Sequence, residues 1–103
     1  MSAALDIEPE HLAQIRAILG IYLPADVDVL VFGSRARGRA KRFSDLDLAL
    51  KGKARLDPDL IGKLADAFET SSLPWRVDLV DYHALTPEFL DAIRADLTPL
   101  DRG

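Results

Sequence analysis

Three aspartates are spaced for joint chemistry. Asp45 and Asp47 stand two residues apart in Ser44-Asp45-Leu46-Asp47-Leu48, and Asp78 stands in Val77-Asp78-Leu79-Val80. A period of two is the period of a β-strand, so Asp45 and Asp47 share one face of a sheet. If the strand carrying Asp78 is a neighbour, the three carboxylates converge. Like charges repel, and a cluster of them calls for a counter-charge. Magnesium supplies one, since it takes oxygen ligands, usually one or two carboxylates completed by water and substrate phosphates. Two such ions about 3.5–4 Å apart clamp the attacking and leaving oxygens of a phosphoryl displacement. Taken alone, Asp45-x-Asp47 more often marks the solvent face of an edge strand, where acids deter edge pairing. Asp78 alone reads equally as a solvated strand residue or as the partner of Arg76.

Ahead of the acids lies Gly33-Ser34, separated from Asp45 by the ten residues 35–44. A glycine lets the backbone approach a ligand closely, and free N–H groups at the start of a helical turn attract phosphate. The Ser34 hydroxyl adds a further hydrogen bond. By itself the dipeptide is also compatible with a plain tight turn. Arg35, Arg37, Arg39, Lys41 and Arg42 follow within eight residues. Guanidinium forks match phosphate oxygens, which makes Arg35 and Arg37 candidates for a triphosphate. The bland alternative for most of the five is a solvated loop.

The elements that must position these residues are legible from periodicity and capping. Leu12, Ile15, Ile18, Leu19 and Tyr22 recur at helical spacing, and Pro9 and Pro24 bracket a helix over 9–23. Val27 to Phe32 reads as a buried strand. Residues 35–40 read as a short helical turn. Residues 45–50 form a second strand, with Leu46, Leu48 and Leu50 on the core face and Asp45, Asp47 and Ala49 opposite. Asp57 and Pro58 open a helix whose stripe is Leu60, Ile61, Leu64, Ala65 and Phe68. Residues 76–80 form a third strand. Thr86 and Pro87 open a last helix running to about Asp96. The order α-β-α(short)-β-α-β-α implies an α/β or α+β layer fold, with a small mixed three-stranded sheet flanked by helices.

Composition bounds the reading. One domain is expected over 1–103, since 103 residues leave no room for two. The 49% hydrophobic and 29% charged content is that of a globular chain. A net charge of -4 argues against a general polyanion binder. With no cysteine and two histidines, disulfides, thiolate sites and a histidine zinc site are not expected. No apolar run reaches membrane length and the start lacks a basic segment, so a soluble cytoplasmic protein is expected.

The combination is more specific than its parts. Gly33-Ser34-Arg35-Ala36-Arg37-Gly38 followed by Ser44-Asp45-Leu46-Asp47-Leu48 resembles the minimal (MNT) branch of the polymerase-beta-like nucleotidyltransferase superfamily. Val77-Asp78-Leu79-Val80-Asp81 resembles that branch's third motif. The likeness spans about residues 12–97. It implies that Asp45, Asp47 and Asp78 hold two magnesium ions, and that Gly33, Ser34, Arg35 and Arg37 meet the phosphates of ATP. It further implies transfer of AMP to a hydroxyl, with a tyrosine of a HEPN-type ribonuclease toxin as acceptor and this chain as its antitoxin in a hetero-oligomer. An antitoxin that masks its toxin without chemistry, and nucleotidyl transfer to a small molecule, are the competing readings. The branch often carries a glycine after the last helix and then an apolar strand. Ala95-Asp96-Leu97-Thr98-Pro99 stands there instead, which argues against a final strand.

Overall fold

The computed structural model describes residues 5–38 and 44–102. Helix α1 spans Pro9–Tyr22, strand β1 Asp28–Phe32 and strand β2 Leu46–Lys51. Helix α2 spans Pro58–Glu69, strand β3 Val77–Asp81, helix α3 Pro87–Ile93 and strand β4 Thr98–Pro99. The sheet order is β3-β2-β1-β4. β1 runs antiparallel to both β2 and β4, and β2 runs parallel to β3.

Alternation along the strands sorts the side chains into two apolar layers. Val29, Val31, Leu46, Leu48 and Leu50 meet Ile15, Leu19, Leu64 and Phe68 from α1 and α2. On the opposite face Phe32 and Ala49 meet Ile93 of α3, with Leu30, Val80 and Leu90 around them. The edges of the Phe32 and Phe89 rings meet at 90° with centroids 6.0 Å apart. The predicted faces of the second strand and the apolar stripe of the second helix are therefore those observed.

Local capping chemistry fixes the helix starts. The Asp57 side chain accepts from the Asp59 N–H at 2.9 Å, and Pro58 occupies the first turn of α2. Thr86 accepts from the Phe89 N–H at 3.2 Å to start α3. Each bond satisfies an N–H that the helix itself leaves unpaired.

Three expectations need correction. The sheet has four strands, because Thr98 and Pro99 pair with Val31 and Leu30 at its edge. Proline is admissible there, since an edge strand leaves one row of N–H groups unused. The last helix ends at Ile93 and closes in a turn in which the Asp96 N–H reaches the Ile93 carbonyl at 2.9 Å. Residues 34–38 form a hydrogen-bonded turn and no helix; residues 39 and 40 of the expected helical turn, with Arg39, Lys41 and Arg42, lie outside the described residues.

The chain that leaves β4 secures α1. Arg102 donates to the carbonyls of Leu19, Leu23, Pro24 and Val27 at 2.6–3.1 Å. The last turn of α1 holds no basic residue of its own, so Arg102 brings the cation that a helix C-terminus favours. We expect Arg102→Ala to destabilise the fold by about 2 kcal/mol, as loss of several charged hydrogen bonds to carbonyls at a helix C-terminus does. Urea unfolding should show a lower midpoint with an unchanged slope.

Candidate active site

The antiparallel register of β1 and β2 sets Phe32 opposite Asp47. The parallel register of β2 and β3 sets Asp47 beside Asp78. These two pairings bring the end of β1, the start of β2 and the start of β3 to one end of the sheet. Asp47 and Asp78 lie on the face that carries α3, and Asp45 precedes β2 as an exposed residue. The three predicted acids are therefore gathered by topology.

Gly33 follows Phe32 with φ +78°, a conformation that side chains rarely adopt. A Cβ built on it would lie 2.5 Å from Oδ2 of Asp47. The glycine thus lets the turn lie directly against the carboxylate. Ala36 and Arg37 donate back to the Gly33 carbonyl at 3.1 and 3.3 Å, which closes the turn. Among the described residues, the N–H groups of Ser34 and Arg35 and the Ser34 hydroxyl have no protein partner. Donors left open beside a carboxylate cluster fit an anion that arrives with its own cations.

The acids are short of counter-charge. Burial raises the Asp47 carboxyl above its ordinary value, and the charges of Asp78 and Asp45 raise it further. Among the described residues, Asp45 and Asp47 have no hydrogen bond or ion pair. Asp78 has Arg76, at 3.7 Å with both side chains well exposed, a pair of little strength. All three offer hard oxygen donors, so the set fits a divalent cation of the magnesium kind. Among the described residues, no group of three His, Cys, Asp or Glu side chains is placed to hold a metal ion without other ligands. That is the expected form when substrate phosphates and water complete the shell.

The two arginines of the turn part ways. Arg37 is half-exposed, and its Nε lies 3.4 Å from Asp96 beyond α3. It remains at the rim of the cleft. Arg35 is 5% exposed and points into the body of the protein, away from the cleft. Its guanidinium carbon lies 4.3 Å from the centroid of the Trp75 ring, Nε donates to the Ser44 carbonyl at 3.0 Å, and Nη1 donates to the Asp6 carbonyl at 2.7 Å. This geometry turns the Arg35 guanidinium away from the triphosphate contact expected of it and leaves only its backbone in the turn. The positive φ of Gly33 re-aims the residues after it, a turn geometry that alternation does not forecast.

Two participants escaped the sequence reading. Asp96 carried no pattern that tied it to Arg37. Asp81 is buried and accepts from the Leu56 N–H at 2.7 Å and the His83 N–H at 3.0 Å. It holds the chain before α2 and after β3, so it lies outside the acid cluster in role.

A sequence model described as "Polymerase beta, Nucleotidyltransferase" matches residues 21–99. The Haemophilus influenzae protein named "Probable protein adenylyltransferase MntA" is 46% identical over 92 residues, covering 89% of this chain and 80% of that one. A chain of a toxin–antitoxin crystal structure with AMP-PNP superposes with a TM-score of 0.70 at 26% identity, over 87% of this chain and 72% of that one. A chain of the complex between tri-AMPylated Shewanella oneidensis HEPN toxin and MNT antitoxin does so at 0.67 and 22% identity, over 92% and 72%, a likeness of fold alone.

The raised Asp47 carboxyl makes a signed prediction for the metal-free protein. Its stabilising contribution is complete below the ordinary carboxylate value and is lost as pH rises through the higher folded value. At neutral pH, Asp47→Asn should therefore raise Tm. Toward acid pH the advantage should fade. Calorimetry in EDTA checks both, and saturating Mn2+ should reverse the order because only the wild type gains from the ion.

Proposed function

The chain belongs to the polymerase beta nucleotidyltransferase family, in its minimal branch, and from that membership we propose that it transfers AMP from ATP to a tyrosine hydroxyl of a HEPN-type toxin, acting as the antitoxin. The observation that carries the proposal is the convergence of Asp47, Asp78 and the Gly33 turn at one end of the sheet. That arrangement supports phosphoryl chemistry, and the named relative and the toxin–antitoxin neighbours support the direction of transfer.

In this reading Asp45, Asp47 and Asp78 would hold two magnesium ions, which when bound would supply charge neutralisation at the phosphates and polarisation of the reacting oxygens. The open N–H groups of Ser34 and Arg35 and the Ser34 hydroxyl hold the β- and γ-phosphates. Arg37 is the turn's remaining arginine at the rim, where it faces the departing pyrophosphate once released from Asp96. The acceptor oxygen bonds the α-phosphorus while the bond to pyrophosphate breaks. Asp78 takes the proton of the acceptor hydroxyl. A groove of about 520 Å³ between α2 and β3, lined by Phe68, Trp75, Arg76 and Asp78 among others, gives an acceptor segment a route to Asp78 from the free edge of the sheet. The remaining work is alignment and charge neutralisation in a fixed frame.

The test is the intact mass of a HEPN partner incubated with this protein, magnesium and ATP. Whole AMP increments are expected, absent with the Asp45→Asn/Asp47→Asn double variant. A stable complex with no increment would instead mean neutralisation by masking. Asp78→Asn should keep most nucleotide affinity, measured by calorimetry, while turnover falls by about a hundred-fold or more, the usual scale of a lost general base. Full turnover in that variant would remove Asp78 from the reaction.

A further inference from the structure

Arg35 touches a backbone or a ring from each of the segments that carry the acids and the phosphate turn. It sits in the turn that Gly33 opens. Its Nε donates to the carbonyl of Ser44, the residue immediately before Asp45. Its guanidinium stacks on Trp75, three residues before Asp78 and at the entry to β3. Its Nη1 donates to the Asp6 carbonyl at 2.7 Å, and the Asp6 N–H returns a bond to the Arg35 carbonyl at 3.0 Å. Trp75 is itself held, with the His11 ring of α1 edge-on at 5.7 Å and 9% of its surface exposed.

A buried guanidinium is costly, and burial does pull Arg35 below its ordinary value, against the opposing charges of Asp6 and Asp45. Its second terminal nitrogen, Nη2, is buried with no hydrogen-bond partner among the described residues. A solvated loop arginine would avoid both penalties by turning outward. Arginine combines diverging donors on a long stem with a flat cationic face for stacking. A lysine could neither reach both carbonyls in fixed directions nor lie flat on an indole.

We propose that Arg35 is a positioning residue, a strut that fixes the phosphate turn, the Asp45 segment and the start of β3 against one another from beneath the site. It takes the place of the triphosphate contact expected from its sequence position. The inference rests on the nucleotidyl-transfer reading only for what the acids do once aligned. The strut's effect falls on the acids as ligands, because Asp45 precedes β2 and has no ladder of its own to hold it.

Metal binding and phosphate binding separate this role from direct contact. Mn2+ affinity in the presence of AMP-PNP is read by electron paramagnetic resonance. Tripolyphosphate affinity in EDTA is read by calorimetry. Arg35→Gln removes the charge and the fork, and Trp75→Leu removes the stacking face without touching the turn. Both variants should lose about ten-fold or more in Mn2+ affinity, the usual cost of losing a group that orients metal ligands. Metal-free tripolyphosphate affinity should change alike in both, by no more than the loosening of the shared turn costs. Trp75→Phe, which keeps a ring face, should restore most of the Mn2+ affinity. Amide exchange at residues 45–48 should quicken in Trp75→Leu and recover in Trp75→Phe.

Loss of tripolyphosphate affinity in Arg35→Gln alone would make Arg35 a phosphate ligand and overturn the proposal. Unchanged Mn2+ affinity and unchanged exchange in Trp75→Leu would overturn it as well, even if Arg35→Gln fails to fold. Failure of the wild type to transfer AMP would reject the proposed function, yet leave these binding and exchange readouts intact.

Discussion

The pairing of β1 with β2 in one register, Phe32 against Asp47, is the constraint on which the site depends. It places the residue after Phe32 beneath the Asp47 carboxylate, so that residue must lack a Cβ. It also sends the chain into the turn that carries Ser34 and Arg35. A slip of one residue would carry Leu46, Leu48 and Leu50 from the core to the cleft face and the acids into the core. The apolar layer under α1 and α2 therefore enforces the register of the catalytic end. The core and the site are two faces of the same alternation.

The parallel pairing of β2 with β3 adds Asp78 to Asp47 and makes the cluster electrostatically unfavourable. Among the described residues nothing relieves it fully, since Arg76 is exposed and Asp47 is partly buried with no ion pair among them. Repulsion that the folded chain tolerates is a common property of sites whose counter-charge comes with the substrate. Stability is supplied away from the cleft. The Arg102 bonds to four carbonyls close the C-terminal end of α1, and Asp81 joins the ends of the α2 crossover. The layer of Leu and Ile side chains at 0% exposure does the rest.

Much of this was legible in the chain because it is local. Strand faces follow from a period of two in 46–50, and helix starts follow from Asp57-Pro58 and Thr86-Pro87. The acid cluster was legible because two strand motifs only had to be neighbours. What escaped depends on contacts distant in sequence. A two-residue strand such as Thr98–Pro99 has no period to detect and exists only because β1 offers it an edge. The early end of α3 at Ile93 was hidden because Arg94, Ala95 and Asp96 all tolerate a helix. Arg102 acts through backbone groups 75 or more residues away and Asp81 reaches the Leu56 N–H 25 residues away, and no local pattern encodes such partners.

Arg35 and Arg37 show why residue type and spacing under-determine role. Both follow the Gly33-Ser34 turn, both carry the same fork, and both suit phosphate. They differ in what lies behind them. Two residues on, Arg37 has solvent and Asp96. Arg35 has an indole face, a carbonyl from the segment entering β2 and a carbonyl from the N-terminal segment. Those acceptors come from three separate stretches of chain, so only the assembled fold brings them within reach of one guanidinium. Once they are there, the fork donates to two backbone carbonyls, and the flat cation covers Trp75. The same features that recommend arginine for a triphosphate recommend it for this junction, and burial decides between them.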